Sequence, residues 1–182
     1  MFICITKKAA VCTVQTARLL PGRWRMALRL YSFMHKYCLM DRTVLAFGTF
    51  DLLHPGHIDY LRKARRHGSR LVVVVARDES VARFKGRIPV LDERERLLMV
   101  SSLRLVDRAM LGNRLAGRED MFKVIAKVRP QVIALGYDQT VDLVGLKKWL
   151  SKNRIGASVV RIRRPLLPQR LKSSLLRKAA GI

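Results

Sequence analysis

One ten-residue segment constrains this chain more than any other: Gly48-Thr49-Phe50-Asp51-Leu52-Leu53-His54-Pro55-Gly56-His57. The run that ends at Gly48 (TVLAFG, 43–48) is apolar and strand-sized. Pro55 suits the first position of a helix over 55–67, with Gly68 suited to its C-terminal cap. A strand that turns within a few residues into a helix is where an open α/β sheet holds its ligand. The helix N-terminus is expected to offer unpaired backbone N–H groups and a positive dipole end, both favourable to phosphate. Gly48 is expected to let the backbone approach that ligand, Thr49 to give a hydroxyl and an N–H to phosphate oxygens, and Gly56 to leave room for a triphosphate. His54 and His57, three apart, fall on one face of the first helical turn.

The rest of the chain repeats strand and helix in alternation. Further strands are predicted over 70–76, 109–111, 131–135 and 157–162, the first continuous in apolar residues as a central parallel strand should be. Asp92 opens a helix with Glu95 three residues on, a capping box. Other helices are predicted over 119–128, 142–153 and 171–179, and Lys85-Gly86-Arg87 with Pro89 reads as a loop. The pattern predicts an α/β fold: a single Rossmann-like open parallel sheet of about five strands, flanked by helices on both faces.

Composition shifts near residue 40. Residues 1–40 contain seven Lys or Arg, no Asp or Glu and all three cysteines (Cys4, Cys12, Cys38), and Pro21-Gly22 interrupts them. They are expected to be a disordered N-terminal extension or a misassigned start, Met40 being the natural alternative, with the domain over 41–182. A transit peptide and a basic nucleic-acid-binding arm are the rival readings of the extension. No CxxC pair exists, so a zinc or redox site is not expected. No apolar run is long enough for a membrane span.

The net charge is +24. The basic residues are spread along the chain without interleaved aromatics, so most of this charge is read as solvated faces and nucleic acid is not the expected partner. The two motif imidazoles have a more specific use. An HxxH pair binds a metal only with further ligands, and His35 and His67 are far off in sequence, so no protein-held metal is expected. Two imidazole donors beside a phosphate-favouring helix end do suit nucleotidyl transfer, an in-line attack on an α-phosphorus. There the protein chiefly positions reactants and stabilises spreading negative charge.

The ten-residue segment resembles the signature of the cytidylyltransferase-like superfamily of HxGH nucleotidyltransferases. Within it the chain is similar to the archaeal FAD synthase family, through VARDESV (75–81), KGRIP (85–89), VDRAMLG (106–112), LGYDQT (135–140) and Ser173-Ser174. The resemblance implies transfer of AMP from ATP to FMN, giving FAD and pyrophosphate. It implies catalytic His54, His57 and Lys85, and ATP contacts from Gly48, Thr49, Phe50, His54, Pro55, Gly56 and His57. Asp138 would read adenine or ribose, and Ser173 and Ser174 would grip the triphosphate. A divalent cation (Mg2+), a cytoplasmic location and a homodimer, common in the superfamily, are the further implications. Arg77-Asp78 is expected to face the ligand edge, and Asp51 to orient either its loop or His57. Two alternatives stand beside this reading. One is a cytidylyltransferase acting on glycerol 3-phosphate or a similar acceptor, although LPQRLKSSLL (167–176) lacks that family's Gly-Ile. The other is a basic nucleic-acid-binding protein on an inactive nucleotidyltransferase fold.

Overall fold

The structure is a computed structural model and describes residues 42–114, 120–163, 173–179 and 181. The predicted extension over 1–40 lies outside these residues. The first strand, β1 (Thr43–Gly48), is central, and every strand runs parallel to it: β2 (Arg70–Val75), β3 (Arg108–Leu111), β4 (Val132–Leu135) and β5 (Ser158–Arg161), in the order β3-β2-β1-β4-β5. The chain thus winds outward from β1 in both directions, and the switch point lies between β1 and β4. The predicted five-stranded parallel sheet is the one observed.

The strand sequences explain the layering. β1, β2 and β4 are apolar at nearly every position because both faces are covered. Alternate residues serve opposite cores. Val44, Ala46, Leu71, Val73 and Val75 pack with Leu61 and Ala64 of helix α1 (Pro55–Arg65) and with Val100. Leu45, Val72, Val74, Ile133 and Leu135 pack on the other side with Val124 and Ile125 of α4 (Asp120–Val128) and Leu146 and Leu150 of α5 (Leu143–Lys152). Each such side chain contributes about 1.5–3 kcal/mol by leaving water. Val100 lies in α3 (Glu93–Ser101), whose predicted capping box is present: the Asp92 carboxylate accepts from the Arg94 and Glu95 backbone N–H groups, and the Glu95 carboxylate from Asp92 N.

Three local expectations need correction. The first helix stops at Arg65 and is capped by Arg66, so Gly68 is not its cap. Gly68 is required for another reason: a Cβ there would lie 2.3 Å from the Arg42 carbonyl oxygen, where the chain crosses the start of β1. Residues preceding Gly86 are not loop. They form helix α2 (Asp78–Lys85), with Asp78 and Glu79 in its first turn and Gly86 in the left-handed conformation (φ 63°) ending it. Finally, the N–H groups of the first turn of α1 are not unpaired: Pro55 has none, Gly56 N donates to His54 Nδ1 (3.1 Å) and His57 N to His54 O (2.9 Å). The last helix, α6 (Ser173–Ala179), starts at Ser173, and residues 171–172 of its predicted span fall outside the described residues.

Candidate active site

At the C-terminal edge of the sheet, over the switch point, lies a cavity of about 760 Å³. The motif lines it from the centre with Gly48, Thr49, Phe50, His54, Gly56 and His57, α2 from one side with Phe84 and Lys85, and the turn after β4 from the other with Tyr137 and Asp138. Of the sequence-predicted site residues, the fold therefore brings Gly48, Thr49, Phe50, His54, Gly56, His57, Lys85 and Asp138 to one place, while Pro55 is exposed and is not part of the lining. Ser173 and Ser174 open α6, but their side chains lie outside the described residues.

The motif turn is shaped by Phe50. It adopts a left-handed backbone (φ 54°), which a bulky residue holds only when its surroundings compel it. Here the phenyl ring is compelled by burial, with 1% exposure. The ring meets His57 edge-on at 5.2 Å between centroids. It also fills the space above Gly48, whose Cβ would come within 2.6 Å of the ring. Gly48 is thus needed for Phe50, a packing reason that stands beside its place in the cavity lining.

His54 caps α1 through Nδ1, which leaves its Nε2 edge for other partners. Its ring stacks on that of His57 (3.8 Å between centroids, 24° between planes). Burial lowers the His54 pKa. His57 is affected more strongly. Burial first, then the neighbouring His54 and Lys85, press its pKa down to about 3, against the opposing pull of the Leu52 carbonyl and Asp51. His57 Nδ1 is buried with no hydrogen-bond partner, since the Leu52 carbonyl does not meet it in bonding geometry. Without ligand, His57 is therefore neutral and under-satisfied, a state that an arriving anion reverses by favouring the charged ring. The ring resonances of His57 in the free protein are accordingly expected not to titrate between about pH 5 and 8, the window in which an ordinary histidine does. An NMR midpoint near 6.5, the ordinary value for histidine, would contradict this environment.

Lys85, at the end of α2, donates to Thr49 Oγ1 (3.0 Å). Burial and Arg87 lower its pKa, opposed by Asp138 and Asp51. Asp51 settles the choice left open by the sequence: it orients a loop. Its carboxylate, 1% exposed, accepts from Val90 N (2.7 Å), Leu91 N, Arg87 Nη1 (3.1 Å) and Arg177 Nη1 (2.8 Å). Burial alone would push its pKa up, but these four donors outweigh burial and hold it below the usual carboxylate range. Arg77 and Asp78 do stand at the ligand edge, but they are engaged there. Arg77 donates to Gly112 O and pairs with Glu93 (2.6 Å), and Asp78 pairs with Arg96. Arg96, with no exposed surface, also donates to Thr49 O (2.6 Å) and Leu91 O.

The opposite wall is fixed equally firmly. Gln139 donates to Phe47 O (2.6 Å) and accepts from Gly136 N, stapling the turn that carries Asp138 to the end of β1. Tyr60 donates to Ala134 O (2.9 Å), and burial raises its pKa, so its phenol stays a donor. Arg96, Arg177, Gln139 and Tyr60 were not found from the sequence. Arg96 sits in an ERER run that reads as solvated charge, and Arg177 lies 126 residues from Asp51.

Comparison with known proteins bears on what this cavity serves. The profile of the family described as cytidylyltransferase-like matches residues 45–179. A FAD synthase of Thermoplasma acidophilum is 48% identical over 119 residues, which are 65% of this chain and 80% of that protein. A FAD synthase of Methanocella arvoryzae is 49% identical over 123 residues, 68% of this chain and 84% of that one. A crystal structure from Thermoplasma volcanium, described as a lipopolysaccharide core biosynthesis protein, superimposes with a TM-score of 0.62 at 46% identity, covering 68% of this chain and 97% of that one.

Proposed function

The chain belongs to the cytidylyltransferase-like family, and from that membership we propose that it is a nucleotidyltransferase that moves AMP from ATP to FMN, giving FAD and pyrophosphate. The observation that carries the reading is the near-half identity to FAD synthases over about two thirds of the chain. An oxygen of the FMN phosphate attacks the α-phosphorus of ATP. The bond from that phosphorus to the oxygen bridging to the β-phosphate breaks, and pyrophosphate leaves with the electron pair. No enzyme nucleophile is involved.

The residues divide this work as follows. His54, through its Nε2 edge, and His57 donate to phosphate oxygens as negative charge spreads over them. The first-turn N–H groups of α1 are already used, so the helix contributes its dipole field. Lys85 and the Thr49 hydroxyl, already bonded to each other, meet the triphosphate from the α2 side. Asp138 faces the ribose or base from the turn after β4, and Ser173 and Ser174 are assigned to the triphosphate. Among the described residues no group of three or more His, Cys, Asp or Glu is gathered as metal ligands. Asp51 is saturated by its four donors. The divalent ion, magnesium first, is therefore assigned to the ATP substrate, whose phosphates carry and shield it. Among the described residues no helix is long and apolar enough to cross a membrane.

The test is a substrate matrix: ATP or CTP with FMN or glycerol 3-phosphate, followed by detection of FAD and pyrophosphate. Faster turnover of CTP with glycerol 3-phosphate overturns the acceptor and the nucleotide together. Lys85→Ala in the same assay is expected to raise KM for ATP. A lost charge-assisted hydrogen bond is worth about 1.5–3 kcal/mol, or about ten- to a hundredfold. Unchanged KM and kcat would make Lys85 a support for Thr49 only.

A further inference from the structure

We propose that the sheet edge opposite the cavity binds the phosphate backbone of duplex nucleic acid. Winding strands and helices in this order collects every strand start, and the ends of α1, α3, α4 and α5, at that edge. Arg42 precedes β1, Arg70 opens β2 and Arg108 opens β3; Arg66 caps α1, Arg129 follows α4 and Arg154 follows α5. All six are exposed. Residues that looked dispersed in the sequence thus line one ridge. The ridge is about 19 Å long across five strands, roughly five base-pair steps of a duplex measured along its axis. Among the described residues the acidic group at this edge is Asp107, and it is already paired with Arg65 (2.8 Å).

Helix dipoles explain basic residues in last turns, such as Arg65 and Lys152. They do not explain arginines at strand starts. Nor do they explain Arg129 and Arg154, which sit just beyond helix ends in left-handed backbone (φ 46° and 53°), where glycine is favoured. Beside Phe50, these are the other positive-φ residues besides glycine among the described residues. The Arg129 guanidinium also donates to the Arg154 carbonyl (3.4 Å), drawing the two together. Two cations are therefore kept adjacent at positions where the backbone would be more stable without a side chain. Among the described residues the exposed aromatic rings, Phe84 and Tyr137, lie at the cavity, and none at this edge offers a platform on which to stack unpaired bases. Duplex backbone, read by charge alone, is the matching partner. β1 separates the ridge from Gly48 by about 20 Å, so the two surfaces act independently.

The experiment uses the full chain and fluorescence anisotropy with labelled duplex DNA and duplex RNA of about 20 base pairs, between about 50 and 200 mM salt. The proposal expects a log–log salt slope of about −4 or steeper on at least one duplex. The double substitution Arg129→Gly with Arg154→Gly is expected to lower affinity about tenfold and make the slope shallower by about 2. Its melting temperature should not fall, because strain is relieved, and FAD formation should be unchanged. Arg129→Lys with Arg154→Lys should retain most of the affinity. Duplex binding by the glycine pair equal to wild type overturns the proposal, as does equal loss in the lysine pair. Binding to anionic phospholipid vesicles without duplex binding also overturns it, assigning the ridge to a membrane surface instead. Loss of FAD formation in the wild type would sink the catalytic reading and leave this one standing.

Discussion

His57→Ala is expected to lower kcat by at least about a hundredfold, the size of effect seen when one transition-state donor is removed. The argument rests on the ring's surroundings. It lies half-buried at the centre of the cavity, neutral, and carries a buried nitrogen with no partner in the protein. A purely structural histidine in such a place would have both ring nitrogens bonded, because an unsatisfied buried polar atom costs about 1–3 kcal/mol. That cost is accepted where a ligand completes the bonding. Alanine leaves the Phe50 and His54 rings facing a void, so some stability is lost too. The decisive readout is therefore kcat in protein shown to be folded. His54→Ala is expected to act similarly on kcat and also to lose the cap of α1, an additional cost of about 1 kcal/mol. A folded His57→Ala enzyme with near-normal kcat would exclude the ring from the chemistry.

The parts of this site that were legible in the sequence are those with local signals. β1 and β2 were readable because burial on both faces makes them continuously apolar, and the Asp92–Glu95 box because both partners lie within one turn. The motif marked the cavity because strand, turn and helix are contiguous there. What escaped was non-local or masked. Helix α2 buries one residue, Val81, so it shows no apolar period, and its final glycine read as loop. The Arg96–Asp78–Thr49 connections join three elements through a side chain that closes a run of five charged residues, 92–96. The basic ridge escaped for the opposite reason. Its members are ordinary one at a time, and only the winding of the sheet puts them side by side. Local chemistry thus located the reacting centre, while the groups that hold it in shape needed the fold.

Asp51→Ala is expected to be the most destabilising single change in the motif. The carboxylate accepts from four donors: the backbone N–H groups of Val90 and Leu91, Arg87, and Arg177, which also donates to the Ile88 carbonyl (3.3 Å). Removing it leaves two N–H groups without their partner and two guanidiniums facing each other. Breaking a buried pair by removing one partner costs about 3–5 kcal/mol. Arg87 and Arg177 keep 30% and 19% of their side-chain surface in water and can partly rehydrate, which favours the lower end. A loss of about 3 kcal/mol corresponds to roughly 10 °C in Tm for a domain of this size. The loss has a pH signature. The folded-state pKa of Asp51 is depressed below 3.8, so its contribution is fully present above that value and disappears as the pH falls through the folded pKa. The difference in Tm between wild type and Asp51→Asn, which removes the charge but keeps the shape, should therefore be large at neutral pH and shrink below 3.8. The same substitution frees the loop from Arg87 to Leu91 and the end of α6, so KM for ATP should rise even in protein that remains folded. A Tm for Asp51→Ala within about 2 °C of wild type, less than the shift expected for 1 kcal/mol, would mean that the loop and α6 are held by other contacts. The Arg177 tie would then be incidental to the architecture of the site.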